Sequence, residues 1–167
     1  MASSGLEEPL SVVFDINLFV NVYQGEQEKI SSGVLSTGAL PKNLYGQCLQ
    51  IIDYQDGLVR LNLSAHIIDN VYEKLVMKYN IPSDFVNRYL DYLELLQRKS
   101  GGSFVDVPPH NTFDSEVFYD HEDALIMDLA LHTESKIVVS DDNTFQKASL
   151  FRGHTAIINA KRFLKLF

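Results

Sequence analysis

Short unbroken runs of apolar residues alternate along this chain with longer stretches of helical periodicity. Val12-Val13-Phe14 and Ile137-Val138-Val139 carry no polar interruption. A strand with one wet face alternates apolar and polar side chains, so an unbroken run signals burial on both faces, as in a parallel sheet covered by helices. Leu58-Val59-Arg60-Leu61-Asn62-Leu63 alternates well enough for a second strand. Phe104–Val107 reads as a short strand stopped by Pro108-Pro109, and Thr155–Ile158 as the last one.

Helical spacing fills the intervals. Ile16–Val20 opens a helix directly after the first strand, and Gln24–Leu40, with Gly25, Gly33 and Gly38, predicts a long loop. A helix from Pro41 or Lys42 to about Tyr54 would use proline in its first turn. Ser64 is placed to cap a helix whose inner face is Ile67, Ile68, Val71 and Leu75. After a stop at Ile81-Pro82-Ser83, another helix runs to about Arg98, with Phe85, Val86, Tyr89, Leu93 and Leu96 inward. Asp120-His121-Glu122-Asp123 introduces an apolar helix over Ala124–Leu131, a short helix is predicted near 143–150, and Ala160–Phe167 forms a terminal one. Strands alternating with helices predict an α/β fold, a parallel sheet with helices on both faces. Residues 1–10 read as a flexible lead-in and 11–167 as a single domain.

Composition narrows the function. No run of eighteen apolar residues exists, which argues against a membrane span, and Met1–Leu10 lacks the pattern of a secretory signal, so a cytoplasmic location is the default expectation. Cys48 is the only cysteine, which rules out an intrachain disulfide and a cysteine zinc cage. The formal charge of −8 has the wrong sign for a protein that binds nucleic acid through its own basic surplus. Three situations accommodate it: a ligand other than nucleic acid, acids gathered where metal ions offset them, or a partner protein that brings positive charge.

The placement of the acids bears on that choice. Two buried strands end in aspartate, at Asp15 and at Asp141-Asp142, and ligands of open parallel sheets bind outside the carboxyl ends of the strands. Two carboxylates about 4 Å apart repel by ~4 kcal/mol at an effective dielectric of 20, a cost that a divalent cation removes. Oxygen-only ligation selects Mg²⁺ or Mn²⁺ over zinc. Asp is also common at strand-end turns, and Asp120 and Asp123 suit a helix N-terminus for capping and dipole reasons alone.

Three segments together resemble the PIN-domain family, and within it the VapC-like toxins of bacterial toxin–antitoxin systems. Val12–Val20, with Asp15-Ile16-Asn17, is similar to the opening strand and its Asp-x-Asn signature; Asp120–Ala130 to the acid-led central helix; Ile137–Asp142 to the late strand ending in Ser-x-Asp. The resemblance implies a three-layer α/β/α fold on a sheet of about five parallel strands and metal-dependent cleavage of RNA phosphodiester bonds. It implies Asp15, Asp123 and Asp142 as catalytic metal ligands for Mg²⁺ or Mn²⁺, with Asn17 orienting the first acid and Ser140 supporting the site beside Asp120 and Asp141. A cognate antitoxin and a homodimer are further implications. Two positions depart from the pattern. Ile16 stands where a hydroxyl residue is usual, and Asn70, six residues beyond Ser64, stands where the family has glutamate; His66 and Glu73 lie one turn to either side.

Lys147, Arg152, His154 and Lys161 follow the last acid and are candidate phosphate contacts, while Tyr23 is open to base stacking or to core packing. A PIN-fold binding or assembly module with weak or no nuclease activity is the alternative that Asn70 and the acidic charge favour. A phosphatase with an aspartate nucleophile ranks below both, because the second acid it needs would stand at Asn17.

Overall fold

The apolar runs become the strands expected of them. In the computed structural model, which describes residues 8–31, 43–106, 121–142, 150–151 and 155–167, the strands are β1 (Leu10–Phe14), β2 (Val59–Ser64), β3 (Phe104–Val105), β4 (Ile137–Val139), β5 (Leu150–Phe151) and β6 (Thr155–Ile158). All pair into one sheet in the order β3-β2-β1-β4-β6-β5. The first five strands of that order are parallel, and β5 runs antiparallel to β6 at the edge. Val12, Val13 and Phe14 are all fully buried, as are Val138 and Val139, which is the two-sided burial that unbroken apolar runs require.

The helices are α1 (Ile16–Ser31), α2 (Leu44–Tyr54), α3 (Ala65–Glu73), α4 (Ser83–Ser100), α5 (His121–His132) and α6 (Ala160–Leu164). A π-helical turn, Lys74–Lys78, extends α3. Helices α1 to α4 and α6 pack on one another over one face of the sheet, while α5 packs on β1, β2 and β4, giving a three-layer α/β/α arrangement. Phe14 ties the central strand to the first layer: its ring lies 5.9 Å from Phe19 of α1 and 5.4 Å, edge to face, from Phe163 of α6. Ser64 caps α3 by accepting from the Ile67 N–H, and Ile67, Val71 and Leu75 are fully buried below it.

Strand order locates the crevice. From β1 the chain moves outward through β2 and β3, then returns through α5 to β4 on the other side of β1. The order therefore reverses between β1 and β4, and in an open parallel sheet the space outside the carboxyl ends at such a reversal is where a ligand fits.

Several elements differ from the pattern read in the sequence. The first helix does not stop at Tyr23 but continues to Ser31 through Gly25. Glycine serves packing there: a Cβ on residue 25 would overlap the side-chain amide of Asn43. That amide donates to the Asn21 carbonyl at 3.0 Å, and the Asn43 oxygen caps α2 by accepting from the Gly46 N–H at 2.7 Å. The second helix accordingly begins at Leu44 with Asn43 as its cap, and Pro41 and Lys42 lie outside the described residues. Leu150 belongs to an edge strand rather than a helix, with 143–149 outside the described residues. β3 ends at Val105, and α6 ends at Leu164. Tyr23 is 1 % exposed, with its ring 5.4 Å from that of Tyr89, so it is a core residue and no base can stack on it.

Candidate functional site

Parallel pairing of β1 with β4 aligns Phe14 with Val139, so the residues that follow emerge together. The first is Asp15, only 5 % exposed, with its backbone N–H still bonded to the Val139 carbonyl at 2.9 Å. One carboxylate oxygen accepts from the Ile16 N–H at 2.7 Å and the other from the Ser140 hydroxyl at 2.8 Å. Burial raises the Asp15 pKa from 3.8 to about 6; the Ser140 and Ile16 hydrogen bonds oppose the rise, the Asp142 charge adds to it and Lys74 opposes it. The fully buried Ser140 hydroxyl also accepts from the Asp142 N–H at 3.1 Å, which fixes the second acid relative to the first.

Asp141 is occupied differently. Its carboxylate accepts from the Ala160 N–H at 2.9 Å, capping α6, and from the Tyr45 hydroxyl at 2.7 Å. The carboxylate beside it pushes the Tyr45 pKa up to about 12, so the phenol stays protonated. Asp141 thus joins β4, α2 and α6 around the crevice.

Asn17 is exposed at the start of α1, and its side-chain oxygen accepts from the Lys74 ammonium at 2.9 Å. Lys74 carries no motif signal in the sequence. It stands four residues after Asn70 on the same helical face, which is the one clue available before a structure. Asn70 turns back on its own helix, its amide donating to the His66 carbonyl at 2.8 Å. Where a glutamate was sought on this helix, the crevice receives a cation instead.

Asp123 lies in the first turn of α5 and is 8 % exposed. The far end of that helix leads through a short turn into β4, so its beginning points back toward the carboxyl ends of the strands, the edge where Asp15 stands. Among the described residues, no three His, Cys, Asp or Glu side chains stand within reach of a single ion. Asp120, Lys147, Arg152 and His154 lie outside the described residues, and Lys161 is exposed on α6.

Beside the acids opens a cleft of about 310 Å³, lined by Asn17, Leu18, Val20, Asn21, Tyr45, Lys74, Lys78, Tyr79, Asp141 and Asp142. It has an acidic end at β4 and a basic end at the π-helical turn. No protein-family model matches the sequence, and no curated protein is significantly similar to it. Among the described residues no helix is long and apolar enough to cross a membrane.

Proposed function

We propose that the protein is a metal-dependent endoribonuclease of PIN type, hydrolysing RNA phosphodiester bonds at the crevice between β1 and β4. The carrying observation is the hydrogen-bonded run Asp15–Ser140–Asp142 at the reversal of strand order, in which one buried hydroxyl donates to the Asp15 carboxylate and accepts from the Asp142 backbone N–H. Burial and the nearby Asp142 charge both oppose ionisation of Asp15, and a cation at the carboxylate would relieve that. Mg²⁺ is commonly held by one or two carboxylates, with water and substrate phosphate completing its shell, so a pair of acids fits it.

In this reading Asp15 and Asp142 are the first ligands for Mg²⁺ or Mn²⁺, and Asp123, at the head of α5, is the third catalytic acid. When bound, such an ion supplies Lewis acidity and an activated water. The chain itself supplies orientation. The Ile16 N–H and the Ser140 hydroxyl hold both oxygens of Asp15, so the carboxylate need not reorganise when the ion arrives. Asn17 keeps Lys74 at the mouth of the crevice, beside the developing charge on phosphate.

Cleavage of structured and single-stranded RNA in Mg²⁺ or Mn²⁺ tests the reading. Wild type should cut and Asp15→Asn should not; equal behaviour of the two would remove the proposed centre. The likeness of Val12–Val20, Asp120–Ala130 and Ile137–Asp142 to VapC-like toxins extends the proposal to a cytoplasmic toxin that forms a homodimer and is neutralised by an antitoxin. A small antitoxin-like reading frame beside the gene would support that extension.

One observation favours a second reading, a binding module of the same fold without nuclease activity. Asn70 is uncharged and spent on the His66 carbonyl. Calorimetric titration with Mn²⁺ separates the two, since only a working acid centre takes up the ion.

A further inference from the structure

A cation is built into the crevice. Lys74 opens the π-helical turn, whose first ring is closed by the Tyr79 N–H donating to the Lys74 carbonyl at 3.2 Å. Turns of this kind within a helix are frequent at functional sites. The Lys74 side chain is half-buried, and its ammonium donates to Asn17 Oδ1 at 2.9 Å, two residues beyond Asp15. It lines the same cleft as Asp142, and its charge reaches Asp15, where it favours the ionised carboxylate. One turn earlier on the same helical face stands Asn70, whose amide is spent on the His66 carbonyl.

We propose that Lys74 takes the place of a second metal ion, so that the centre works with one divalent cation and one fixed ammonium. The proposal rests on the nuclease reading and adds to it the number of ions. Two-metal centres hold their ions about 4 Å apart, one for the attacking oxygen and one for the leaving oxygen. Ions that close repel each other, and shared carboxylates must hold them together. This crevice is short of such acids. Asp15 and Asp142 stand at it, and Asp123 adds a third from the head of α5. Asp141 is taken by the Tyr45 hydroxyl and the start of α6. Three carboxylates are balanced by one divalent ion and one ammonium; a second divalent ion would leave an excess of positive charge. An ammonium needs no cage of ligands. The Asn17 oxygen orients it, and of its three N–H donors that bond uses one, so donors remain for a phosphate oxygen. The charge is in position before substrate arrives, which is what makes such a group effective.

Calorimetric titration with Mn²⁺ counts the ions, and wild type should take up one per chain. Lys74→Met keeps the length of the side-chain stem and removes the charge, and thermal melting verifies its fold. With the repelling ammonium gone, this variant should bind its first Mn²⁺ about threefold to tenfold more tightly, the weight of a unit charge facing a double one across a wet crevice. Its cleavage of RNA at low Mn²⁺ should nevertheless fall about a hundredfold, the usual loss for one electrostatic group. High Mn²⁺ should restore cleavage, with a rate that rises as the square of the ion concentration, because a second ion then fills the vacated place. Lys74→Arg retains the charge and should bind Mn²⁺ as wild type does. Tighter metal binding with slower cutting is a pair of opposite effects that loss of a structural bond to Asn17 would not produce. Two ions taken up by wild type, or a Lys74→Met variant that binds Mn²⁺ no more tightly, would overturn the proposal and leave the nuclease reading standing. No uptake and no cleavage by wild type would remove that reading, and the proposal with it.

Discussion

Ser140 stands between two acids: its hydroxyl donates to Asp15 Oδ2 at 2.8 Å and accepts from the Asp142 backbone N–H at 3.1 Å. Removing it leaves a buried carboxylate oxygen and a partly buried N–H short of a partner, and such groups cost about 1–3 kcal/mol. Ser140→Ala is therefore expected to lose about 2 kcal/mol in urea denaturation. Asp15 should also titrate above its wild-type value of about 6, because the hydroxyl favours the charged carboxylate. Carbon-detected NMR of the Asp15 carboxyl measures this directly. An unchanged titration would mean that the hydroxyl does not tune the acid.

Asp15 makes the fold sensitive to pH in an unusual direction. Most carboxylates are stabilised on folding and destabilise a protein as pH falls; Asp15 binds its proton more tightly in the folded state, at about 6 against 3.8. Its contribution is therefore most favourable below pH 3.8, declines between 4 and 6, and reaches its full cost of about 3 kcal/mol above that range. In EDTA, Asp15→Asn should be more stable than wild type by up to about 3 kcal/mol at pH 7.5 and by almost nothing at pH 3.5. Urea midpoints at the two pH values decide the matter, and a variant less stable at pH 7.5 would contradict the sign.

Gly25 and Asn43 form a pair whose energetics can be separated. Alanine in place of glycine raises helix stability by about 1 kcal/mol when nothing interferes. In this protein it would displace the Asn43 side chain, ending its cap on α2 and its bond to Asn21. Together those losses amount to about 2 kcal/mol, so Gly25→Ala should destabilise by about 1 kcal/mol. Placed on an Asn43→Ala background the same change should stabilise by about 1 kcal/mol. A double-mutant cycle of urea midpoints reads the reversal, and additive effects would mean that the two residues are independent.

How far the sequence disclosed these arrangements depended on the range of the interactions. β1 and β4 were legible because burial on both faces leaves an unbroken apolar run, and α3 because its cap and apolar spacing are local. The second half of α1 was not, since Gly25 and its polar neighbours have loop composition and the reason for glycine lies 18 positions away at Asn43. At the site, Asp15 was expected from its place at a strand end, and Ser140 only from the likeness of Ile137–Asp142 to a family pattern. Lys74 was missed because a lysine on a helix has no signature, and its role depends on where Asn17 happens to lie. Asp141 was expected as a supporter of the acids, and what it supports is Tyr45 and the start of α6. That task depends on a contact 96 residues distant, which no local pattern encodes.

The bond between Ser140 and Asp15 spans 125 positions of chain. During synthesis, β1 can pair with β2 soon after it emerges, but its other edge waits for β4, far later in the chain. Until then its open edge is a template for other strands, and Asp15 is an ordinary exposed aspartate. Pairings between such distant segments form slowly, because the intervening loop must first be closed. The crevice therefore arises as a single late event, and a nascent chain arrested before Ser140 carries every residue of β1 and none of its chemistry.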